Sequence, residues 1–368
     1  MTELEAHYEA AVERRGYDRV DGPFGDLSAS YSRERFAFAD DADALAAASP
    51  EDTLVSVGVS PTGTPHVGTL GQIRTAIDCQ RAGFDVQLAV ADQVVYNAGG
   101  GDAATLRERA ERYRRFAAAR GFDADDGRLY VQSEADDVLR AAFRLGRTYD
   151  PDAGEEWDES TAFEESLATA YDDADDPSDD RDDTPDDSPD ATDFSGSLCG
   201  LLMAADTVGP LADDFGPERT YDRVVLALGA DNVGMARRFD AVRERAGVDG
   251  RVVGLFSRLV PGVDGTPKMS KGIDGSGIHL GMSPDRIRER VTDPVLDADR
   301  PSESVVFEML RLVPPGDGDA PGNLRDACAA GDARWRDAVD ECADHLAAAA
   351  EAWQGTASIR PDGPEATR

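Results

Sequence analysis

The chain contains two lysines, Lys268 and Lys271, and they lie three residues apart. Arginine supplies the other permanently charged basic side chains. The ammonium of lysine is a compact point charge on a flexible stem, which a planar guanidinium does not imitate. A loop that offers two such charges suits the negative charge that develops on a departing pyrophosphate. The alternative interpretation is a chance pair of solvated surface lysines.

The turn after the first predicted buried strand, 53–59, is a second candidate site. A turn-rich stretch, 60–65, follows the strand, and a helix is predicted from about 69 to 82. In an open parallel sheet, ligands bind beyond the carboxyl ends of strands. A helix that begins just after His66 would direct its backbone N–H groups toward an anion, and His66 itself could donate to phosphate. Gly68 would allow a flat base or ribose to approach the backbone, although a lone histidine near a turn is more often structural.

Predicted strands and helices alternate through most of the chain. The strands are 53–59, 86–91, 129–131, 224–228 and 252–255, and the intervening helices are 69–82, 103–120, 198–207 and 232–246. This order predicts an α/β fold with a parallel, Rossmann-like sheet. Further helices at 285–291, 302–312 and 333–353 predict a smaller C-terminal α-helical domain.

The expected domain organisation has four parts and one insertion. Residues 1–50 are an N-terminal extension, 51–282 the Rossmann-like domain, 283–355 the helical domain and 356–368 a frayed tail. Within the second part, 149–193 is predicted to be an acidic, disordered insertion. The second half of the insertion is nearly all Asp, Pro, Ser and Thr, which cannot bury enough apolar surface to offset the entropy of ordering. A solvated charge run is favoured there over a calcium site.

Acidic side chains outnumber basic ones by 74 to 38, and the formal net charge is −36. Concentrated salt would screen this self-repulsion, because the Debye length falls to about 3 Å at 1 M. We therefore expect a protein adapted to a very salty cytoplasm, without a generic basic face for nucleic acid. The acidic N-terminus and the lack of a long apolar run predict no signal peptide and no membrane span. The four scattered cysteines predict reduced thiols and no metal site.

Two short motifs together resemble the signatures of the class I aminoacyl-tRNA synthetases. They are His66–Thr69, with the sequence HVGT, and Lys268–Gly272, with the sequence KMSKG. Two intermediate segments are similar to the tryptophanyl and tyrosyl subgroup: Leu201–Asp206, LLMAAD, and Gly229–Asn232, GADN, which Met235–Arg238 follows. The resemblance covers roughly residues 53–135 and 196–350, and it implies a HUP-type nucleotide-binding domain.

The resemblance implies that an amino-acid carboxylate attacks the α-phosphate of Mg·ATP, and that tRNA then accepts the amino acid. It assigns catalysis to His66, Lys268 and Lys271. It assigns ATP binding to Ser60, Thr62, Gly63, His66, Gly68, Thr69, Gly229, Asp231, Lys268, Met269, Ser270 and Lys271, and amino-acid binding to Gly58, Met203, Asp206 and Asn232. Mg²⁺ would arrive with ATP, without dedicated protein ligands. A cytoplasmic homodimer is expected.

Asp206 is the expected specificity residue, because a buried carboxylate suits one N–H or O–H at the far edge of an aromatic ring. Met203 would pack on that ring. The sequence Met-Ala-Ala-Asp is more similar to the tryptophan version than to the tyrosine version, which usually has glutamine in place of Met203. On spacing alone, a core methionine and an exposed aspartate would be the simpler interpretation. The departures from the family pattern are Thr69, Cys199-Gly200, Asn232 and Gly272.

The C-terminal helices offer two interpretations of equal weight. They contain a potential anticodon-binding surface, with Trp335 available to stack on a base, or they form a helical cap with a buried tryptophan. The arginines of that surface would be Arg286, Arg288, Arg290 and Arg334. Three alternatives to a tryptophan enzyme remain open. They are a tyrosyl-tRNA synthetase, a synthetase-like paralogue that uses a different acceptor, and a non-catalytic regulator that binds nucleotide or tRNA.

Overall fold

The structure is a computed structural model that describes residues 1–151, 160–174, 193–213, 221–271, 273, 275–296, 300–316 and 321–358. Its strands are β1 Phe36–Ala39, β2 Thr53–Val59, β3 Asp85–Val90, β4 Arg128–Val131, β5 Arg223–Gly229 and β6 Arg251–Ser257. Its helices are α1 Glu3–Arg15, α2 Ala29–Arg35, α3 Ala42–Ala46, α4 Val67–Arg81, α5 Asp92–Asn97, α6 Ala103–Ala119, α7 Asp136–Leu145, α8 Ala162–Ala174, α9 Asp193–Val208, α10 Met235–Ala246, α11 Pro284–Val291, α12 Val305–Leu312, α13 Arg325–Ala330 and α14 Ala333–Gly355.

The six strands form one sheet in the order β1-β6-β5-β2-β3-β4. All neighbouring pairs are parallel except β1 and β6, which are antiparallel. β2 lies in the middle, where Val57 pairs with Leu88 of β3 on one side and with Ala227 of β5 on the other. The chain continues from β2 toward one edge and later returns to the other side of β2. This arrangement confirms the predicted α/β class, and it creates a switch point at the carboxyl ends of β2 and β5.

Helices cover both faces of the sheet, because its strands are apolar on both sides. Val55 and Val57 point to one face and pack with α4 and α6, whereas Leu54 contributes to the other. Trp335 and Trp353 of the C-terminal helices belong to the same apolar cluster as Val55 and Val57. The helical part of the chain is therefore continuous with the core of the sheet.

Residues 1–50 are more than an extension, because they complete one edge of the sheet. β1 pairs with β6, and its four residues are all buried. α1 packs beside it through Leu4 and Tyr8. The Tyr8 hydroxyl accepts a hydrogen bond from the backbone N–H of Leu259, just after β6, at 2.9 Å. The sequence did not predict β1, since Phe-Ala-Phe-Ala is too short to show a clear period.

The acidic insertion is partly helical, which corrects the prediction of disorder for 149–193. α8 lies inside it, and Phe163 at its start is 1% exposed. Residues 152–159 and 175–192, which include most of the aspartate-rich run, lie outside the described residues. Likewise, 359–368 of the expected tail lie outside them, but Thr356 is buried and accepts a hydrogen bond from Arg112 Nε at 3.1 Å.

A buried arginine joins the N-terminal, central and C-terminal parts of the chain. Arg35 has no exposed surface. Its guanidinium donates to the carbonyl of Gly71 at 2.6 Å, to the hydroxyl of Thr75 at 2.6 Å and to the carbonyl of Leu312. Gly71 is required there, because a Cβ at this position would lie 2.4 Å from Leu312 Cγ. α4 and α12 therefore pack at a distance that no side chain would allow.

One helical window in the described residues, Phe194–Leu211, is long and apolar enough to cross a membrane by length and composition. No apolar run of this length was expected from the sequence. Within this fold, 56% of the window is buried. The helix packs against α5, α7 and α10. A core helix passes the same test, and this packing accounts for the apolar composition of α9.

Candidate functional site

A cavity of about 620 Å³ lies at the carboxyl ends of β2 and β5, where the strand order reverses. Residues from seven separate stretches of the chain line it. Of the candidate residues, it brings together Gly58, Ser60, Thr62, His66, Gly68, Thr69, Met203, Asp206, Gly229, Asp231, Asn232, Lys268, Met269, Ser270 and Lys271. Gly63 does not line the cavity, and its carbonyl accepts a hydrogen bond from the hydroxyl of Tyr113 at 2.8 Å.

His66 is the N-cap residue of α4, and its imidazole faces the cavity. Its Nδ1 accepts a hydrogen bond from the backbone N–H of Gly68 at 2.8 Å. The proton of the neutral ring therefore lies on Nε2, which can donate. Burial, together with the positive charges of Lys271 and Lys268, lowers the pKa of His66 to about 3. The ring is consequently a neutral hydrogen-bond donor at any ordinary pH.

Gly68 provides the space in which this imidazole lies. A Cβ at Gly68 would approach His66 Cε1 to 2.6 Å. The sequence analysis assigned this glycine to the approach of a base or ribose. The structure gives it a second use, because the histidine ring itself occupies the space beside the first turn of α4.

The lysine loop leaves β6 and returns along the cavity wall. Met269, 4% exposed, anchors it in the core, and its backbone N–H donates to the carbonyl of Val260 at 2.8 Å. Ser276 holds the centre of the loop: its hydroxyl accepts from the N–H of Ser270 at 3.1 Å and donates to the carbonyl of Ile273 at 2.7 Å. The buried methionine between the two lysines turns both ammonium groups toward the cavity.

Lys268 forms an ion pair with the carboxylate of Asp231, just beyond the end of β5. Burial alone would lower the pKa of Lys268, but the Asp231 carboxylate outweighs burial and raises it. The side-chain amide of Asn232 also donates to Asp231, at 3.0 Å. Lys268 and Asp231, which the resemblance assigns to ATP binding, are therefore paired with each other in this structure.

Lys271 contacts the turn that follows β2. Its Nζ donates to the carbonyl of Ser60 at 2.6 Å and lies 3.4 Å from the hydroxyl of Tyr113. Burial lowers the pKa of Lys271 to about 8, and the nearby charge of Arg109 acts in the same direction. The lysine loop and the histidine turn thus meet across the cavity, although they are about 200 residues apart in sequence.

The far end of the cavity is built around Asp206, which is 8% exposed. The hydroxyl of Tyr130 donates to its Oδ1 at 2.6 Å, and the amide of Gln132 donates to its Oδ2 at 2.5 Å. The amide of Gln87 donates to its backbone carbonyl at 2.6 Å. A carboxylate has about four acceptor positions, so Asp206 keeps capacity for a further donor. Met203, one helical turn earlier, lines the same end.

Burial raises the pKa of Asp206 to about 7, although the hydrogen bonds from Tyr130 and Gln132 oppose this shift. Burial also holds the pKa of the Tyr130 hydroxyl well above its usual value, so this hydroxyl remains a donor. Asp206 is therefore poised between its neutral and ionised forms near neutral pH.

Four residues that contact the site residues were not predicted from the sequence: Tyr130, Gln132, Tyr113 and Tyr171. Tyr130 and Gln132 stand at the end of β4 and just after it, and the position of polar residues beyond a predicted strand was the available signal. Tyr113 lies on α6 within a charged helix, and nothing in its spacing marks it. Tyr171 lies in the segment that was assigned to disorder.

The C-terminal helices do not present the predicted stacking residue. Trp335 is 1% exposed and packs at 6.0 Å from Phe307, so it cannot stack on a base. This corrects the anticodon interpretation for that residue and agrees with a helical cap. The arginines are engaged with acidic or backbone groups: Arg286 with Glu289, Arg288 with Asp344, Arg290 with the carbonyl of Gly275, and Arg334 with the carbonyl of Asn323.

The structure thus combines a mostly parallel sheet with a histidine turn after β2 and a lysine loop after β6, as the two sequence motifs predict. Residues 49–148 match the family described as tRNA synthetases class I (W and Y). Over 89 residues the chain is 40% identical to Tryptophan--tRNA ligase 1 of Halobacterium salinarum. This stretch is 24% of the present chain and spans 17% of the length of that relative.

Solved structures extend the likeness of fold over most of the chain. A tryptophanyl-tRNA synthetase from Encephalitozoon cuniculi bound to tryptophan has a TM-score of 0.65 at 13% identity, over 95% of each chain. A tyrosyl-tRNA synthetase from Archaeoglobus fulgidus complexed with L-tyrosine has a TM-score of 0.60 at 19% identity, over 83% of this chain and 90% of that one. Residues 49–148 therefore match the class I tRNA synthetases of the tryptophan and tyrosine group, and the chain shares its fold with solved structures of such enzymes.

Proposed function

We propose that this protein is an aminoacyl-tRNA synthetase that activates an aromatic amino acid, with tryptophan favoured over tyrosine. The observation that carries the proposal is the convergence of His66, Lys268 and Lys271 on one cavity that also contains Asp206. Three hydrogen-bond donors, two of them cations, face one end, and a buried acceptor stands at the other. This polarity matches a substrate pair with a triphosphate at one end and an aromatic ring at the other.

The phosphate end stabilises charge as it develops. The amino-acid carboxylate attacks the α-phosphorus of ATP, the bond from that phosphorus to the bridging oxygen breaks, and pyrophosphate leaves. Nε2–H of His66 and the ammonium groups of Lys268 and Lys271 donate to the phosphate oxygens. Each such donor contributes about 3 kcal/mol of transition-state stabilisation, or about two powers of ten in rate.

ATP binding requires an exchange of partners at Asp231. The carboxylate is an acceptor that suits the two ribose hydroxyls, but Lys268 occupies it in this structure. When the ribose binds, Lys268 moves from Asp231 to the phosphates, which are stronger and more highly charged acceptors. Mg²⁺ enters as Mg·ATP, because triphosphate oxygens are the ligands that this hard cation prefers. Among the described residues, no group of three metal-binding side chains occurs.

The ring end selects the amino acid. The N–H of an indole, donated to Asp206, satisfies the remaining acceptor capacity of that carboxylate, and Met203 supplies a polarisable sulfur for the ring. An amino acid without such a donor leaves a desolvated carboxylate unpaired, which costs about 1 to 3 kcal/mol. The backbone around Gly58, the exposed residue of β2, and the amide of Asn232 are the groups proposed for the amino-acid backbone.

The proposed partners are tRNA and a second copy of the chain in the cytoplasm. Phe143 on α7 and Phe194 on α9 are 88% and 74% exposed, and these two helices pack against each other. Exposed phenylalanines on adjoining helices support the homodimer.

ATP–pyrophosphate exchange with each of the twenty amino acids, in molar KCl, tests the function. Exchange with tryptophan alone, followed by charging of tRNA with tryptophan, is the expected result. Exchange with tyrosine instead would contradict the assigned specificity. Exchange without charging would replace tRNA by another acceptor, and no exchange with any amino acid would overturn the proposed enzyme.

A further inference from the structure

The segment 149–193 was predicted to be a disordered insertion, yet one of its residues lines the cavity. Tyr171, on α8, has its hydroxyl 2.9 Å from the hydroxyl of Ser270, with which it shares a hydrogen bond. The Nζ of Lys268 lies 5.8 Å from the centre of the Tyr171 ring, within the range of a cation–π contact. Tyr171 therefore touches the lysine loop at two neighbouring residues.

We propose that Tyr171 is a positioning residue, which holds the lysine loop through Ser270 and Lys268 and makes helix α8 a component of the nucleotide site. The inference deepens the proposed function and rests on it for the identity of the nucleotide. Its geometric basis, the contact between α8 and the loop, is independent of the reaction.

The beginning of α8 is held by contacts with α1. The later part of the helix can therefore hold the lysine loop in place. Phe163 is buried beside the imidazole of His7, with 4.7 Å between ring centres. Arg15 donates to both carboxylate oxygens of Glu164, at 2.6 and 2.7 Å. Burial would raise the pKa of Glu164, but the bonds from Arg15 outweigh it and lower the pKa to about 2. Eight residues after Phe163, about 12 Å along a helix, Tyr171 reaches the loop.

The same anchor also contacts the strand end that carries the carboxylate partner of Lys268. Nδ1 of His7 lies 3.0 Å from the hydroxyl of Thr161, just before α8, and its Nε2 donates to the carbonyl of Ala230 at 2.9 Å. Ala230 precedes Asp231, which pairs with Lys268. A closed ring of contacts thus runs from α8 through Tyr171 to the lysine loop, across to Asp231, and back through His7.

This ring has a consequence for the exchange of partners at Asp231. When Lys268 leaves the carboxylate for a phosphate, the direct link between the loop and β5 is lost. Tyr171 remains in contact with Ser270, which is two residues from Lys268, so the loop stays over the cavity during the exchange. Tyr171 is therefore expected to keep Lys268 at a high effective concentration beside the phosphates.

The test compares Tyr171→Phe and Tyr171→Ala with the wild-type protein, with Tyr221→Phe as a matched control. The hydroxyl of Tyr221 donates to Asp85 at 3.0 Å, and this pair does not line the cavity. Loss of one net hydrogen bond predicts a fall of about fivefold in kcat for pyrophosphate exchange in Tyr171→Phe, and a larger fall in Tyr171→Ala, which also loses the ring. KM for the amino acid is expected to stay unchanged, because Asp206 and Met203 are not touched. A purely structural role would change both constants or neither.

A second measurement is independent of catalysis. The rate at which an amine-selective reagent modifies each lysine is followed by mass spectrometry. In Tyr171→Ala, Lys268 is expected to react severalfold faster, while Lys271, held by Ser60, keeps its rate, and Tyr221→Phe changes neither. Equal reactivity of Lys268 and an equal kcat would overturn the assignment of Tyr171. If the wild-type protein exchanges no amino acid, the proposed function fails, and the labelling rates still decide whether Tyr171 holds the loop.

Discussion

The two ends of the cavity are built in opposite ways. At the phosphate end, Lys268 and Lys271 stand on a loop and are paired with groups that a nucleotide can replace, a carboxylate and a carbonyl. At the ring end, Asp206 lies on a core helix and is held by hydrogen bonds from Tyr130 and Gln132. The difference indicates that the phosphate end can rearrange during the reaction, whereas the ring end remains fixed and selects the amino acid.

The largest expected effect tests the movable end. Lys268→Ala and Lys271→Ala should each lower kcat for exchange by about a hundredfold, because each removes one charged donor to the transition state. Steady-state kinetics in molar KCl measure this, and Arg286→Ala, an exposed cation paired with Glu289, serves as the control. If kcat of either variant is unchanged, the catalytic role assigned to that lysine is wrong, and so is the contrast between the two ends.

The fixed end is tested by Asp206→Asn. The orientation of the Gln132 amide is set by its bond from the N–H of Val94 at 3.1 Å, so the new side chain can accept from Gln132 and donate to Tyr130. The fold should therefore persist, while KM for the amino acid rises about tenfold through loss of a charged acceptor. KM for ATP should not change. Asp137→Asn, beside Arg128 and outside the cavity, is the control. A rise in both constants would show that the ends are not independent.

A smaller effect is expected for Gly68→Ala. The added methyl group would meet the imidazole of His66 and turn it away from the phosphates. We expect kcat for exchange to fall about tenfold or less, since the lysines remain in place. Thermal unfolding should shift little, because the first turn of α4 accepts alanine readily. A crystal structure of the variant with the histidine ring in its original position and an unchanged kcat would contradict this account.

The smallest and most discriminating effect is the response to pH. Asp206 ionises as pH rises through about 7, so amino-acid binding should improve over that interval. Lys271 loses its proton as pH rises through about 8, so ATP binding should weaken above it. Calorimetric Kd values for each substrate from pH 6 to 9 should therefore change in opposite directions, by a few fold. Parallel changes would refute separate titration of the two ends.

The two ends of the cavity also differ in how much of each could be predicted from the sequence. The lysine loop was found because lysine occurs nowhere else in the chain, and the histidine turn because a strand, a turn and a helix follow one another clearly. Asp206 was found through its resemblance to a family segment. Tyr130 and Gln132 were missed, although they stand at the end of a predicted strand, because their bonds to Asp206 depend on a register between β3 and β4 that only the assembled sheet creates.

The fold itself was predictable where apolar runs were long. The five parallel strands were all expected from such runs, and so were the main helices between them. β1 was not, because four residues are too few to establish a period and its pairing with β6 is non-local. α8 was missed for a different reason. Its acidic composition resembles that of the neighbouring aspartate-rich run, and its helical state is supported by tertiary contacts of Phe163 and Glu164 with α1.

The contacts of Arg35 indicate which fragments of the chain could fold without the rest. Its buried guanidinium donates to a carbonyl of α4 and to a carbonyl at the end of α12, and the side chain of Leu312 fills the space beside Gly71. A fragment ending at residue 282 would keep every lining residue of the cavity except Leu312. Such a fragment would also lose one acceptor of the buried Arg35 guanidinium, the carbonyl of Leu312, and it would open a groove along α4. We therefore expect the smallest autonomous unit of this protein to retain α12, which lies beyond the boundary at residue 282 that the sequence predicts.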